Sequence, residues 1–280
     1  MQKAIEYIKT ELLGLYPETE IRSFTNLLIS EITGFSRTEI IVNKNTKFSD
    51  EQVVLLQTFV EKLKKFIPLQ YVLGKTYFMD LEFQVNDAVL IPRPETEELV
   101  EWIAESIQPH SNLSMLDIGT GSGCIAIALK NIFKNADISA YDVSEKALAV
   151  AARNAELNNL HVNFECFDVL NQDDVSKRRD LIVSNPPYIP EKEKSEILPN
   201  VLNNEPHLAL FVPDNDPLIF YRKIACYAQK CLNEGGWLFF EIHRDWGWQT
   251  VDLLRELDFT DVELRKDLSG NDRMIKARKR

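Results

Sequence analysis

The stretch "LDIGTGSGC", Leu116 to Cys124, runs an apolar strand into three alternating glycines and then into the helix-forming run "CIAIALKNIF". Glycine lets the chain turn sharply there and lets a ligand come close to the main chain. The same alternation continues downstream. "DISAYDV" reads as a strand, "SEKALAVAARNAEL" as a helix, and "HVNFECF" and "DLIVSN" as strands. A helix, "PLIFYRKIACYAQKCL", then precedes the strand "GGWLFFEIH", the helix "WQTVDLLREL" and two last strands, "DVELRKD" and "RMIKAR". Strands alternating with helices predict an α/β fold: a doubly wound, mostly parallel seven-stranded sheet covered on both faces. The tight "LSGND" link between the final strands predicts an antiparallel pair at one edge.

Upstream, residues 1–70 read as a small helical domain. One face is expected to carry Ile5, Ile8, Leu12 and Leu13, and a second helix Ile21, Phe24, Leu27, Leu28 and Ile32, with Gly34 as its stop. A third begins at the Ser49-Asp50 cap and carries Val53, Leu56, Val60 and Leu63. This region holds nine acidic and nine basic side chains, so it is neutral. Residues 71–92 read as a β-hairpin connector turning at Met79-Asp80. Residues 93–280 form the α/β domain, entered through Pro94 at a helix start where Glu95, Glu97 and Glu98 suit the helix dipole.

Composition narrows the function. The chain has 280 residues and a formal net charge of −11, which argues against stable binding of long nucleic acid. Only the segment from Arg265 is basic, with seven Lys/Arg against two Asp; it reads as a basic strand with a frayed tail or as a partner-docking patch. No run is apolar enough to span a membrane, and the first residues lack a signal-peptide core, so a cytoplasmic protein is expected. Cys124, Cys166, Cys226 and Cys231 form no paired motif and read as reduced thiols. His110, His161, His207 and His243 are scattered with no zinc-like spacing, so no metal is expected.

The glycine loop sits where a doubly wound sheet binds its ligand, beyond the carboxyl ends of the strands. It fails the dinucleotide fingerprint, because the position after Gly123 that would need Gly or Ala is Cys124, and it lacks the lysine of a phosphate loop. Its Asp-x-Gly-x-Gly-x-Gly form, from Asp117, resembles motif I of class I S-adenosylmethionine-dependent methyltransferases. Asp142 ends the second strand 19 residues after Gly123. A carboxylate there can accept two hydrogen bonds from a ribose diol, each costing ~1.5–3 kcal/mol of binding if lost; the alternative is a helix-capping Asp beside Ser144. Asp168, after the third strand, falls where those methyltransferases contact adenine, with Val169 against the ring; a turn residue is the alternative.

The fourth strand ends in "NPPY", Asn185 to Tyr188. Proline gives a sheet no N–H and fixes φ, so the corner is stiff and poor in donors. Its acceptors remain: the Asn185 side-chain carbonyl and the Pro186 carbonyl. Two rigid acceptors suit a planar –NH2 group, and Tyr188 offers a flat face for stacking. A simple strand-ending turn is the bland alternative.

Together "PLQYVLG", "IPRPETEELV", "LDIGTGSGCIAIAL", "ARNAELN", "DLIVSNPPYI", "NEPHLALF" and "LSGNDRM" resemble the peptide chain release factor glutamine methyltransferases, in order from about residue 68 to the C-terminus. The resemblance implies a protein-(glutamine-N5) methyltransferase using S-adenosyl-L-methionine on the Gly-Gly-Gln loop of class 1 release factors, acting as a monomer, with the N-terminal helices docking the substrate. It implies catalytic roles for Asn185, Pro186 and Tyr188, with Pro187 shaping the slot. Asp117, Gly119, Thr120, Gly121, Ser122, Gly123, Asp142, Asp168, Val169 and Asn185 would surround the cofactor, and Phe78, Arg93 and Glu95 would flank the substrate. The alternative reading is an adenine-N6 methyltransferase on nucleic acid, since Asn-Pro-Pro-Tyr occurs there too. One departure stands out: a short Glu-x-Gly turn is expected after the fifth strand, whereas Glu241 is followed by "IHRDWGWQ", with Gly247 late and Trp246 and Trp248 of unknown role. That departure puts in doubt any role assigned there but leaves the assignment of the methyl-transfer corner unaffected, and no histidine is expected at the centre.

Overall fold

In the computed structural model, residues 1–107, 112–172 and 175–280 are described, and His110 lies outside them. The described residues divide into two compact units, Met1–Lys75 with Leu198–Asn204, and Thr76–Ile197 with Glu205–Arg280.

The first unit contains α1 (Gln2–Leu12), α2 (Glu18–Thr33), α3 (Arg37–Val42), α4 (Asp50–Lys64) and α5 (Leu69–Leu73). Its core is built from stripes at helical spacing: Ile8 and Leu12 from α1, Ile21, Phe24 and Leu28 from α2, and Leu56, Val60 and Leu63 from α4. Leu13 and Leu27, expected on those stripes, are exposed. Leu13 is the residue at which α1 gives way to extended backbone, so its side chain leaves the buried face. Gly34 ends α2 in the left-handed region at φ 72°, with its N–H donating to the Ser30 carbonyl. Ser49 caps α4 through a reciprocal box with Gln52. The same device, Ser36 with Glu39, starts α3, which the apolar pattern did not announce.

A hairpin follows, β1 (Lys75–Phe78), whose first residue is the last of the helical unit's N-terminal stretch, and β2 (Leu81–Gln84). Met79 and Asp80 between them have φ 49° and 61°, the paired positive values of a tight primed turn that matches strand twist. There follow α6 (Pro94–Ser106), β3 (Ser114–Ile118), α7 (Cys124–Ile132), β4 (Asp137–Asp142), α8 (Glu145–Leu157), β5 (Asn163–Cys166) and β6 (Arg179–Ser184). Next come β7 (Ile189–Pro190), α9 (Pro199–Leu202), which belongs to the segment grouped with the helical unit, β8 (Phe211–Val212) and α10 (Ile219–Cys231). The chain ends in β9 (Leu232–Glu241), α11 (Gly247–Glu256), β10 (Phe259–Lys266) and β11 (Asp272–Lys279).

Seven strands form one sheet in the order β10-β11-β9-β6-β3-β4-β5. β3, β4, β5, β6 and β9 are mutually parallel, and the antiparallel pair closes one edge, β11 running antiparallel to both β9 and β10. Both faces are buried, as alternate residues show. Met115, Leu181, Val183 and Phe239 enter a core with α6 and α7, while Leu116, Ile182, Leu238 and Phe240 enter one with α10 and α11. The chain moves outward from β3 through β4 to β5, then returns to β6 on the other side of β3. That reversal opens a crevice at the carboxyl ends of β3 and β6.

Most cations of the C-terminal segment are engaged. Lys279 donates to the carbonyls of Gln229 and Leu232, Arg278 to that of Gly235, and Lys276 pairs with Glu263. No helix among the described residues is long and apolar enough to cross a membrane. The four cysteines are free thiols.

Candidate active site

The crevice holds a cavity with about 860 Å³ of space outside protein atoms, part of it open to solvent. The glycine loop forms one wall. Gly119 and Gly121 have φ 75° and 56°, and a Cβ built on either would meet nothing within 4 Å. Their backbone is therefore bare toward the cavity. Gly123 is glycine for another reason. A Cβ there would stand 3.0 Å from Ala151 Cβ and 3.0 Å from Ile127 Cδ1, so its absence lets α7 pack closely against α8.

Two acids sit at adjacent strand ends. Asp142 lies on the cavity wall. Its Oδ2 accepts the Gly121 N–H at 2.9 Å and its Oδ1 the Ser144 N–H at 2.9 Å. The cap reading and the ligand reading are thus compatible, because each oxygen keeps a second lone pair for a diol. Burial raises its pKa. Asp117 stands behind the loop, buried, with Thr120 Oγ1 donating to its Oδ2 at 2.6 Å. Burial, with the Asp142 charge adding to it, pushes its carboxyl up to about 7. Asp168 and Val169 line the far side of the cavity. The Asp168 carboxylate also organises its own turn, accepting from Leu170 N–H at 2.9 Å and Asn171 Nδ2 at 2.8 Å.

The Asn-Pro-Pro-Tyr corner forms the opposite wall. Ser184 fixes the end of β6 by donating to the Ile118 carbonyl at 2.6 Å. Asn185, Pro186 and Pro187 line the cavity. Beyond them, the two-residue ribbon of β7 and β8 ties the motif to "NEPHLALF". Asn185 Nδ2 donates to Thr96 Oγ1 at 3.2 Å, and Thr96 Oγ1 donates to Glu241 Oε2 at 2.6 Å. Tyr188 O–H donates to the other oxygen, Glu241 Oε1, at 3.1 Å.

Several expected site residues stand away from the cavity wall. Thr120 and Ser122 are buried beneath the loop. Phe78 is buried in the core, edge-on to Phe83 at 6.1 Å. Arg93 pairs with buried Glu205 at 2.5 Å, and Glu205 also accepts the Ile91 N–H at 3.2 Å. These contacts join "IPRPETEELV" to "NEPHLALF". Glu95 lies in the first turn of α6. Tyr188 packs against the second core, where burial raises its pKa.

At the end of β9 Glu241 holds both Thr96 and Tyr188, and just beyond it the His243 ring lies edge-on to Tyr188 at 5.9 Å. His243 Nε2 is 3.1 Å from Glu193 Oε2, and neither residue lines the cavity. Thr96 and Glu241 are functional candidates that the sequence reading missed. The quoted motifs contain Thr96, but an isolated threonine in a helix start carries no signal by itself.

The cavity lining fits S-adenosylmethionine: bare glycine backbone, a carboxylate at a neighbouring strand end able to accept from a diol, and an apolar wall from Phe167, Val169, Phe220 and Ile224. Among the described residues there is no group of His, Cys, Asp and Glu that could hold a metal ion.

Residues 3–74 match the family described as "PrmC N-terminal domain", and residues 96–208 match "Methyltransferase small domain". A release factor glutamine methyltransferase of Flavobacterium psychrophilum is 47% identical over 269 residues, covering 95% of this chain and 94% of that protein. One of the same description from Bacteroides thetaiotaomicron is 40% identical, covering 99% of each. A solved methyltransferase from Pyrococcus furiosus shares the fold, with TM-score 0.53 at 18% identity over 83% of this chain and 99% of that one.

Proposed function

The chain belongs to the release factor glutamine methyltransferase family, and we propose on that premise that it moves a methyl group from S-adenosylmethionine to the side-chain nitrogen, N5, of the glutamine in the Gly-Gly-Gln loop of class 1 peptide chain release factors. The observation that carries this reading is Asn185, standing on the wall of the glycine-lined cavity with its amide nitrogen held back by Thr96. Gly119, Gly121, Asp142, Asp168 and Val169 would hold the cofactor, which when bound supplies a methyl group already activated on a sulfonium. Asp142 would accept from the ribose hydroxyls.

The chain's own residues have to make an amide nitrogen reactive. Its lone pair is delocalised, so it is a weak nucleophile. Asn185 Oδ1 and the Pro186 carbonyl can accept its two N–H bonds, turning the lone pair out of conjugation and stabilising the positive charge that grows on nitrogen. Pro186 and Pro187 hold these acceptors still, so little reorganisation accompanies the step. No strong base is required, because an alkylated amide nitrogen is acidic enough to release its proton to water. The helical unit, by this reading, docks the folded release factor.

The test uses labelled S-adenosylmethionine with a release factor and with the same factor carrying Gln→Ala in its loop. Label is expected on the first and absent from the second; label on DNA or RNA instead would reject the reading. Asn185→Ala is expected to cut turnover at least tenfold while cofactor affinity holds, since the lost acceptor acts on nitrogen rather than on the cofactor.

A further inference from the structure

We propose that Glu241, acting through Thr96, fixes which end of the Asn185 amide faces the cavity, and so makes the site select an –NH2 group over a carboxylate. The proposal rests on the methyl-transfer reading above. It deepens that reading by assigning Thr96 and Glu241 as positioning and specificity-determining residues.

The argument follows the protons. An asparagine amide presents an acceptor at one end and two donors at the other, and the two ends have nearly the same shape. Nothing in the corner's outline therefore decides which end faces a substrate; only hydrogen-bond polarity can. Glu241 is buried at the end of β9, where desolvation raises its pKa while the Thr96 hydroxyl, the Arg273 charge and the Tyr188 hydroxyl favour its charged form; as a carboxylate it only accepts. It takes the Tyr188 proton on Oε1 and the Thr96 proton on Oε2, at 3.1 and 2.6 Å. Thr96 has then spent its single proton. What it offers Asn185 at 3.2 Å is a lone pair, so the Asn185 group beside it must be Nδ2. The carbonyl Oδ1 is left for the cavity. Reversing the amide would set two acceptors against each other in a buried site, with both hydrogen-bonding groups unsatisfied.

The polarity has a chemical consequence. A cavity presenting Oδ1 beside the Pro186 carbonyl welcomes a group with two N–H bonds. It repels a carboxylate, which would face two acceptors. Glutamine and glutamate differ by that exchange, so the buried relay is a filter between them, and sites built around such polar pairing discriminate strongly.

The experiment compares Thr96→Val, Thr96→Ser and Glu241→Gln with the wild type. Thr96→Val keeps the shape but removes the relay proton and lone pair. Glu241→Gln keeps the shape but can donate as well as accept, which erases the enforced direction. Turnover on a release factor is expected to fall about tenfold or more in both, with S-adenosylmethionine affinity by calorimetry within about twofold of wild type. Thr96→Ser restores the hydroxyl and is expected to recover turnover to within about threefold. Inhibition by a release factor carrying Gln→Glu in its loop supplies the readout that a merely structural role would not move. The ratio of that inhibition constant to the KM for the glutamine-bearing factor is expected to shrink about fivefold in Thr96→Val. Wild-type turnover and an unchanged ratio in Thr96→Val, or a Thr96→Ser variant as impaired as Thr96→Val, would overturn the relay and leave the methyl-transfer reading standing. A parallel loss of cofactor affinity would also overturn it, since the residues would then be supporting the loop. A wild-type enzyme that transfers no methyl to any release factor would remove both.

Discussion

Asp117 begins the glycine-loop motif, yet it does not line the cavity. Its carboxyl is buried and receives the Thr120 hydroxyl, so its task is to hold the turn that exposes Gly119 and Gly121. Burial keeps its pKa near 7, against 3.8 for the exposed group. The sign of the linkage is definite. Between about pH 4 and 7 the folded protein retains a proton that the unfolded chain has released. Stability from this group is therefore complete below pH 4 and lost as pH rises through 7, by an amount on the order of 4 kcal/mol. Asp117→Asn cannot ionise and keeps an acceptor for Thr120. Denaturation of the ligand-free variant is expected to show a flatter decline of stability between pH 4 and 8 than wild type. Equal slopes for the two proteins would refute the buried-acid account. At this scale the sequence was readable where the cavity wall comes from local motifs: Gly119, Gly121, Asp142 and Asn185 all line the cavity from stretches that announce themselves. Thr96 and Glu241 were not, because their partners lie 89 and 145 residues away along the chain.

Whole elements were legible wherever apolar periodicity ran long enough. The strands from β3 to β11 that build the main sheet, and the helices between them, follow the expected order. Short pieces escaped: α3 and α5 hold six and five residues, and β7 and β8 hold two each. Such lengths offer no period to read. How the elements are fastened was also hidden. The "ARNAELN" segment lies on α8, where Asn154 is fully buried. Its Oδ1 accepts the Gln84 N–H at 2.7 Å, while Nδ2 donates to the Gln84 carbonyl at 3.0 Å and to the Ser122 carbonyl at 2.9 Å. One side chain thus continues the edge of the hairpin and pins the glycine loop to the same helix. Asn158 adds a second fastening, donating to the Glu82 carbonyl at 2.8 Å. Asn154→Ala strips the buried Ser122 carbonyl and two part-buried Gln84 backbone groups of their partner and is expected to cost about 2–4 kcal/mol. For a chain of this size that corresponds to a fall in melting temperature of roughly 4–12 °C. Cofactor affinity is expected to fall with it, because Ser122 belongs to the loop. Asn163→Ala, which removes only an exposed bond to Asp137, serves as the comparison and is expected to melt within about 1 °C of wild type. Similar melting of the two variants would show that Asn154 is not a fastening.

At the scale of the molecule, the helical region was legible as a module, from its three amphipathic stripes, but its membership was not. Leu198–Asn204 joins it from far downstream, and the Asn204 side chain donates to the Phe66 carbonyl at 3.1 Å; no local pattern encodes that return. The charge pattern bears on how this unit could serve a protein substrate. The chain carries −11 overall, while residues 1–70 are neutral. A neutral surface offers little electrostatic steering, so recognition there would have to come from apolar contact. The unit has such contacts to offer: Val42 is 76% exposed at the end of α3 and Val54 is 61% exposed on α4. Exposed positions of this kind tolerate substitution within about 0.5 kcal/mol of stability. Val42→Asp and Val54→Asp are therefore expected to fold and to bind S-adenosylmethionine like wild type. If the helices dock the release factor, at least one of the two should raise KM for that factor about threefold or more with kcat unchanged, because a carboxylate placed in an apolar contact must be desolvated on binding. Steady-state kinetics at saturating cofactor measures both parameters together. Unchanged KM in both variants would remove these exposed valines from the docking surface, and a fall in kcat with KM constant would assign them to the chemistry instead.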